Sequence, residues 1–186
     1  KKEIIKQKNI IIAAGRIAPV KQFDHLIKAW SLLAKDFPDW KVQIYGDGDE
    51  VLLGELNALI IELAVSNIQL MGATNNLDNK MEEAAIYALT SATECFPMVL
   101  LESLACGLPI VSYDCPHGPN NIITNNKDGI LVAHNNIDAF AHKLMELMKD
   151  EDIRTKMGVN ALNNVKRFEE SKIMQQWLHL FKSNNI

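Results

Sequence analysis

Short apolar runs, half of them stopped by a glycine, alternate with helix-period segments along this chain, and few folds accommodate that order. Ile10-Ile11-Ile12-Ala13-Ala14 halts at Gly15, Lys41 to Tyr45 at Gly46-Asp47-Gly48, and Ile68 to Met71 at Gly72. All three read as strands, and the first is typical of a buried parallel strand. Helical spacing fills the intervals: Phe23 to Phe37, stopping before Pro38, then Val51 to Ala64 and a short Met81 to Ala85. Ile86 to Leu89 reads as a fourth strand, Pro97 to Cys106 as a helix capped by Gly107, Ile110 to Tyr113 as a fifth strand and Ile130 to Val132 as a sixth. The remainder is helical: Ile137 to Met148, Ile153 to about Val165, and Lys172 to Phe181. Such an order predicts a doubly wound α/β fold, a parallel sheet of about six strands with a helical C-terminus.

The 186 residues are 48% hydrophobic, enough to bury a core, and one domain over 1–186 is the natural expectation, with residues 1–8 as a lysine-rich connector. The first residue is Lys1, and we read the chain as a piece of a longer protein. A formal net charge of -4 argues against a nucleic-acid binder, which carries a basic stripe. No apolar run reaches the length of a membrane span. Cys95, Cys106 and Cys115 are odd in number and unevenly spaced, as in a reduced, cytoplasmic protein.

In a doubly wound sheet, ligands bind at the carboxyl ends of the strands. The loops there are Gly15–Gln22, Gly46–Glu50, Gly72–Asn76, Ser91–Phe96 and Asp114–Asn121. Arg16 and Lys21 put two cations on one such loop of an acidic protein; they are either solvated charges or an anion clamp for a diphosphate leaving group. Pro97 suits the first position of a helix, whose N-terminal amides would complete an anion cradle. Ser91-x-x-Glu94 places one carboxylate before that helix, and Glu102 places another inside it. Either Glu94 caps the helix and Glu102 faces water, or both accept hydrogen bonds from sugar or ribose hydroxyls. Gly46-Asp47-Gly48-Asp49 lacks the third glycine of a dinucleotide fingerprint, since Val51 stands there. It reads better as a turn letting a flat base approach the backbone than as an Asp-x-Asp metal site. Cys115-Pro116-His117-Gly118-Pro119 reads as a stiff loop over the pocket, because no other Cys/His pair has ligand spacing.

Gly15-Arg16…Lys21, Gly46-Asp47-Gly48, Met71-Gly72, Ser91-x-x-Glu94-x7-Glu102, Ala105 to Val111 and Asp128-Gly129-Ile130-Leu131-Val132 occur in that order. The series resembles the C-terminal, donor-binding domain of retaining GT-B glycosyltransferases, family 4 or "group 1", over about residues 9–183. The resemblance implies a Rossmann-like half of a GT-B fold and a hexosyltransferase that needs no divalent metal. It implies that Arg16 and Lys21 bind the donor diphosphate and stabilise the departing nucleotide, with Gly15 among the donor-binding residues. Glu94 would contact the donor sugar, Glu102 the ribose, and Pro97, Met98 and Val99 the phosphates and ribose through their backbone. Gly46, Gly48, Met71 and Gly72 would lie toward the base. Gln22 and Cys95 stand where the family often has Gly, and Asn121 where it often has an acid; none of these changes removes a cation or a carboxylate.

The expected partners are a UDP-sugar, a glycan or lipid-linked acceptor, and the chain's own missing N-terminal acceptor domain. That domain would cover Trp177, Leu178 and Phe181 and could bring the whole protein to the inner face of a membrane. The fragment alone is expected to bind nucleotide and to lack transferase activity. Two alternatives stay open: a nucleotide-sugar epimerase of the same fold, and a non-catalytic nucleotide-sugar binding module.

Overall fold

Six strands form one wholly parallel sheet in the order β3-β2-β1-β4-β5-β6. The computed structural model describes residues 8–183. The strands are β1 (Ile10–Ala14), β2 (Lys41–Tyr45), β3 (Ile68–Gly72), β4 (Ile86–Leu89), β5 (Ile110–Tyr113) and β6 (Gly129–Val132). The eight α-helices among the described residues are α1 (Phe23–Ser31), α2 (Glu50–Glu62), α3 (Leu77–Glu83), α4 (Met98–Ala105), α5 (Pro119–Ile122), α6 (Ile137–Lys149), α7 (Glu151–Asn164) and α8 (Glu170–Ser183). This is the doubly wound, Rossmann-like sheet expected from the sequence, with its strands in place to within a residue. Residues 1–7 of the expected connector lie outside the described residues; Lys8 is tied to α3 by an ion pair with Glu83 at 2.7 Å.

Alternation along each strand builds two cores. Ile11 and Ala13 of β1 and Ile86 and Ala88 of β4 face one side, with Leu26, Ile27 and Trp30 of α1 and Phe140 and Leu144 of α6. Ile12, Ala14, Tyr87 and Leu89 face the other, with Met81 of α3, Leu100 and Leu104 of α4 and Ala161 of α7. Trp30, fully buried, keeps its indole N–H satisfied by donating to the Ser66 carbonyl at 2.9 Å.

Four elements differ from expectation for local reasons. The regular part of α1 stops at Ser31, whose hydroxyl donates to the Lys28 carbonyl at 2.7 Å and competes with the ladder. Tighter turns carry the apolar period on, so Leu33 and Ala34 remain buried. Helix α3 starts at Leu77 and ends at Glu83, ahead of the Met81–Ala85 reading. Ala84 is already extended, and Ala85 N–H donates to the Ile10 carbonyl at 2.9 Å, bringing the chain into β4. Pro97 is the N-cap of α4 rather than its first residue. The short α5, which begins at Pro119 after Gly118, was not read from the sequence.

The strand order reverses between β1 and β4. There the pairing is brief: Ile11 with Ile86 and Ile12 with Tyr87, against five paired residues between β1 and β2. Beyond that point the Tyr87 hydroxyl takes over, accepting from the Ala14 N–H at 3.2 Å and donating to the Ala14 carbonyl at 3.1 Å. Burial holds this phenol neutral, with its pKa raised well above the usual range. Tyr87→Phe leaves both Ala14 backbone groups without a partner, and urea unfolding should show a loss of about 1–3 kcal/mol; an unchanged midpoint would show that the phenol does not hold the end of β1.

Candidate functional site

A cleft of about 550 Å³ opens where β1 and β4 separate. Its walls are the loop after β1 (Ala14, Gly15, Arg16, Ala18, Val20, Lys21), Leu77 at the start of α3, and the segment from Glu94 through Phe96, Pro97, Met98 and Val99 to Glu102. Eight residues singled out in the sequence therefore meet in one place: Gly15, Arg16, Lys21, Glu94, Pro97, Met98, Val99 and Glu102. Gly46, Gly48, Met71 and Gly72 do not line it; they lie alongside, at the ends of β2 and β3.

Backbone geometry of the β1 loop sets the cation wall. Gly15 N–H donates to the Tyr45 carbonyl at 3.0 Å and Ile17 N–H to the Asp47 carbonyl at 2.7 Å, binding this loop to the one after β2. A Cβ on Gly46 would run into the Gly15 carbonyl oxygen, and one on Gly15 would meet Lys21 Cε at 3.2 Å. In this structure, glycine at 46 serves the approach of two loops, and glycine at 15 leaves room for the lysine stem. Asp49 caps α2, accepting from Leu52 N–H at 2.9 Å. Gln22, just past Lys21, holds a left-handed φ of 45°, a conformation in which glycine meets no Cβ penalty. Its side-chain N–H donates to Asn135 Oδ1 at 3.1 Å.

Charge is unevenly committed within the cleft. Lys21 Nζ donates to Glu94 Oε1 at 2.6 Å, with side chains only 20% and 12% exposed. The Ser91 hydroxyl donates to the same oxygen at 2.7 Å. Glu94 is thus a buttressed carboxylate and not a helix cap; no side chain caps α4, whose N-terminus stands at the cleft wall. Arg16 and Glu102 are exposed and make no ion pair or side-chain hydrogen bond among the described residues. The site therefore offers a free guanidinium, a paired ammonium, uncapped helix amides and two carboxylates.

The Cys115–Pro119 loop packs against the backbone that carries Glu94 and Pro97 and lines none of the cleft. Glu94 N–H donates to the Pro116 carbonyl at 3.3 Å, and a Cβ on Gly118 would meet Pro97 Cδ at 2.7 Å and Glu94 Cβ at 3.3 Å. Burial, with Glu94 adding to it, pushes the Cys115 thiol up to about 11, so it is neutral and inert near pH 7. Among the described residues no three His, Cys, Asp or Glu side chains gather as a metal-binding group. Sequence reasoning missed Ala14, Ala18, Val20, Leu77 and Phe96 as lining residues. Phe96 carried a signal, as an aromatic between Glu94 and Pro97; it is 46% exposed and packs edge-on against Phe168.

Comparison with known proteins places this arrangement. The family model "Glycosyl transferases group 1" matches residues 1–164. An exopolysaccharide phosphotransferase of Streptomyces coelicolor is 35% identical over 173 residues, covering 92% of this chain and 18% of that protein. The poly(glycerol-phosphate) alpha-glucosyltransferase of Bacillus subtilis is 29% identical over 174 residues, covering 92% of this chain and 25% of that protein. Among solved structures, S. aureus TarM in complex with fondaparinux, alpha-GlcNAc-glycerol and UDP superimposes with a TM-score of 0.87 at 27% identity, over 94% of this chain and 35% of that one. The pneumococcal O-GlcNAc transferase GtfA, in complex with UDP and GlcNAc, gives 0.83 at 26% identity, over 95% and 36%. The chain spans half or less of the length of these relatives, and the structural neighbours are GT-B glycosyltransferases. This chain belongs to the group 1 glycosyltransferase family.

Proposed function

We propose that this chain is the donor-binding half of a retaining glycosyltransferase that moves a hexosyl group from a UDP-sugar to a glycan or lipid-linked acceptor. One observation carries the reading: Arg16, Lys21, Glu94, Glu102 and the start of α4 converge on a single cleft at the strand-order reversal. As the bond from sugar C1 to the diphosphate breaks, its electron pair passes to the phosphate oxygen. Arg16 and Lys21 neutralise that charge, with the amides of Met98 and Val99 adding to them. The acceptor hydroxyl attacks C1 from the face the nucleotide leaves and passes its proton to the departing phosphate, so configuration is retained. Charge-assisted bonds are worth about 1.5–3 kcal/mol each and an exposed helix terminus about 0.3–1. The two cations therefore dominate, and the mechanism assigns no role to a divalent metal. Glu94 holds sugar hydroxyls, Glu102 the ribose, and the ends of β2 and β3, with Met71 and Gly72, receive the base.

UDP in the TarM and GtfA structures supports the choice of nucleotide. The remaining length of the relatives supports an acceptor domain elsewhere in the whole protein. The apolar face of α8 suits it: Trp177 is 50%, Leu178 52% and Phe181 42% exposed, and Trp177 leans on Phe181 with ring centroids 5.7 Å apart. Three unevenly spaced cysteines fit a cytoplasmic setting, and among the described residues no helix is long and apolar enough to cross a membrane.

A thermal-shift panel of UDP-, GDP- and ADP-sugars should raise the melting temperature most with UDP-sugars; stabilisation by another base would overturn the nucleotide assignment. Lys21→Ala should weaken UDP by about 1–3 kcal/mol in calorimetry, and an unchanged affinity contradicts the diphosphate clamp. Glu102→Ala should weaken UDP more than inorganic pyrophosphate, whereas equal losses would remove the ribose role.

A further inference from the structure

We propose that Glu94 is the group by which this site distinguishes an intact sugar nucleotide from the spent nucleoside diphosphate. The inference rests on the donor-binding reading above and extends it from binding to product release.

Both protein contacts of the Glu94 carboxylate fall on one oxygen. Oε1 accepts from Lys21 Nζ at 2.6 Å and from Ser91 Oγ at 2.7 Å, and Ser91 is itself buried at 1% exposure. The backbone is held as well, through Glu94 N–H to the Pro116 carbonyl at 3.3 Å. Oε2 has no partner among the described residues, and Glu94 lines the cleft. A rigid carboxylate thus keeps one oxygen for the protein and the other for a ligand.

This pairing changes the charge a phosphate meets. Lys21 is already neutralised by Glu94, so Arg16 is the uncommitted cation of the cleft, with Glu102 on the opposite wall. An intact donor brings sugar hydroxyls that donate to Oε2, and the carboxylate is satisfied while its lysine turns to the diphosphate. A spent nucleotide brings no hydroxyl there. It brings instead a terminal phosphate of charge about -1.5 to -2 near neutral pH, since its second pKa is about 6. That phosphate competes with Glu94 for Lys21 and stands beside a carboxylate in a part-buried site, where screening is weak. After transfer, Glu94 reclaims Lys21 and the nucleotide leaves.

Calorimetry on the 186-residue chain with UDP, inorganic pyrophosphate, UDP-glucose and UDP-N-acetylglucosamine tests this. Glu94→Gln should bind UDP and pyrophosphate about tenfold more tightly, the scale of one relieved like-charge contact. It should bind the preferred sugar nucleotide about tenfold more weakly, inverting the selectivity. UDP affinity that is unchanged, or that falls in parallel with the sugar nucleotide, overturns the proposal. The Lys21→Ala/Glu94→Gln double variant provides a second test: with the lysine gone, Glu94→Gln should gain clearly less UDP affinity than it gains in the wild-type chain, and an equal gain in both backgrounds overturns the coupling. If the wild-type chain binds none of the four probes, the donor-binding reading falls first and this inference with it. If it binds UDP but the variants shift nothing, only this inference falls.

Discussion

β1 and β4 run together for two paired residues and then part, and the rest of the site depends on that separation. Parallel strands joined by crossover helices leave a crevice where the order reverses, because the two connections leave the sheet in opposite directions. Opening the crevice strips the end of β1 of its ladder partner, a cost that Tyr87 offsets by bonding both polar groups of Ala14. The space so made is walled by the β1 loop on one side and by the loop entering α4 on the other. Cations come from the first wall and carboxylates from the second, with Glu94 reaching across to Lys21.

That contact gives the site its physical character. A lysine and a glutamate at 2.6 Å in a partly buried cleft preorganise each other, and Ser91 fixes the pair from behind. Burial at 20% and 12% exposure sets a desolvation cost against the Coulombic gain of the pair, so the pair has more consequence for ligand choice than for stability. In the proposed binding mode phosphate and sugar hydroxyls together divide the pair, the phosphate accepting from the lysine and the hydroxyls donating to the carboxylate. A ligand bearing only one of these chemistries leaves a charge unsatisfied. The proposed donor carries both, and this agrees with membership of the group 1 glycosyltransferase family.

Much of this was legible in the residues themselves. The runs ending at Gly15, Gly46 and Gly72 marked strands and their carboxyl ends; β1 is buried on both faces and shows no alternation, whereas β3 lies at the sheet edge with most of its residues exposed. The helix around Met81 was misplaced because Ala84 and Ala85 suit either state, and only the bond from Ala85 to Ile10 decides between them. Ser31 shortened α1 through a side-chain bond that periodicity does not register. At the site, Arg16, Lys21, Glu94 and Glu102 were readable as residue types on the correct strand edge. The Lys21–Glu94 pairing was not, since it joins residues 73 positions apart and depends on how closely two loops approach. Tyr87 was equally hidden, reading as one more apolar strand residue until the position of Ala14 was known.

A crystal structure of this chain with UDP tests the central claim, that charge is sorted across the β1–β4 crevice, most directly. The account predicts the diphosphate between Arg16, Lys21 and the first turn of α4, the ribose hydroxyls on Glu102, and the uracil toward the ends of β2 and β3. Nucleotide bound outside the crevice, or seated in it with its phosphates away from Arg16 and Lys21, would contradict it.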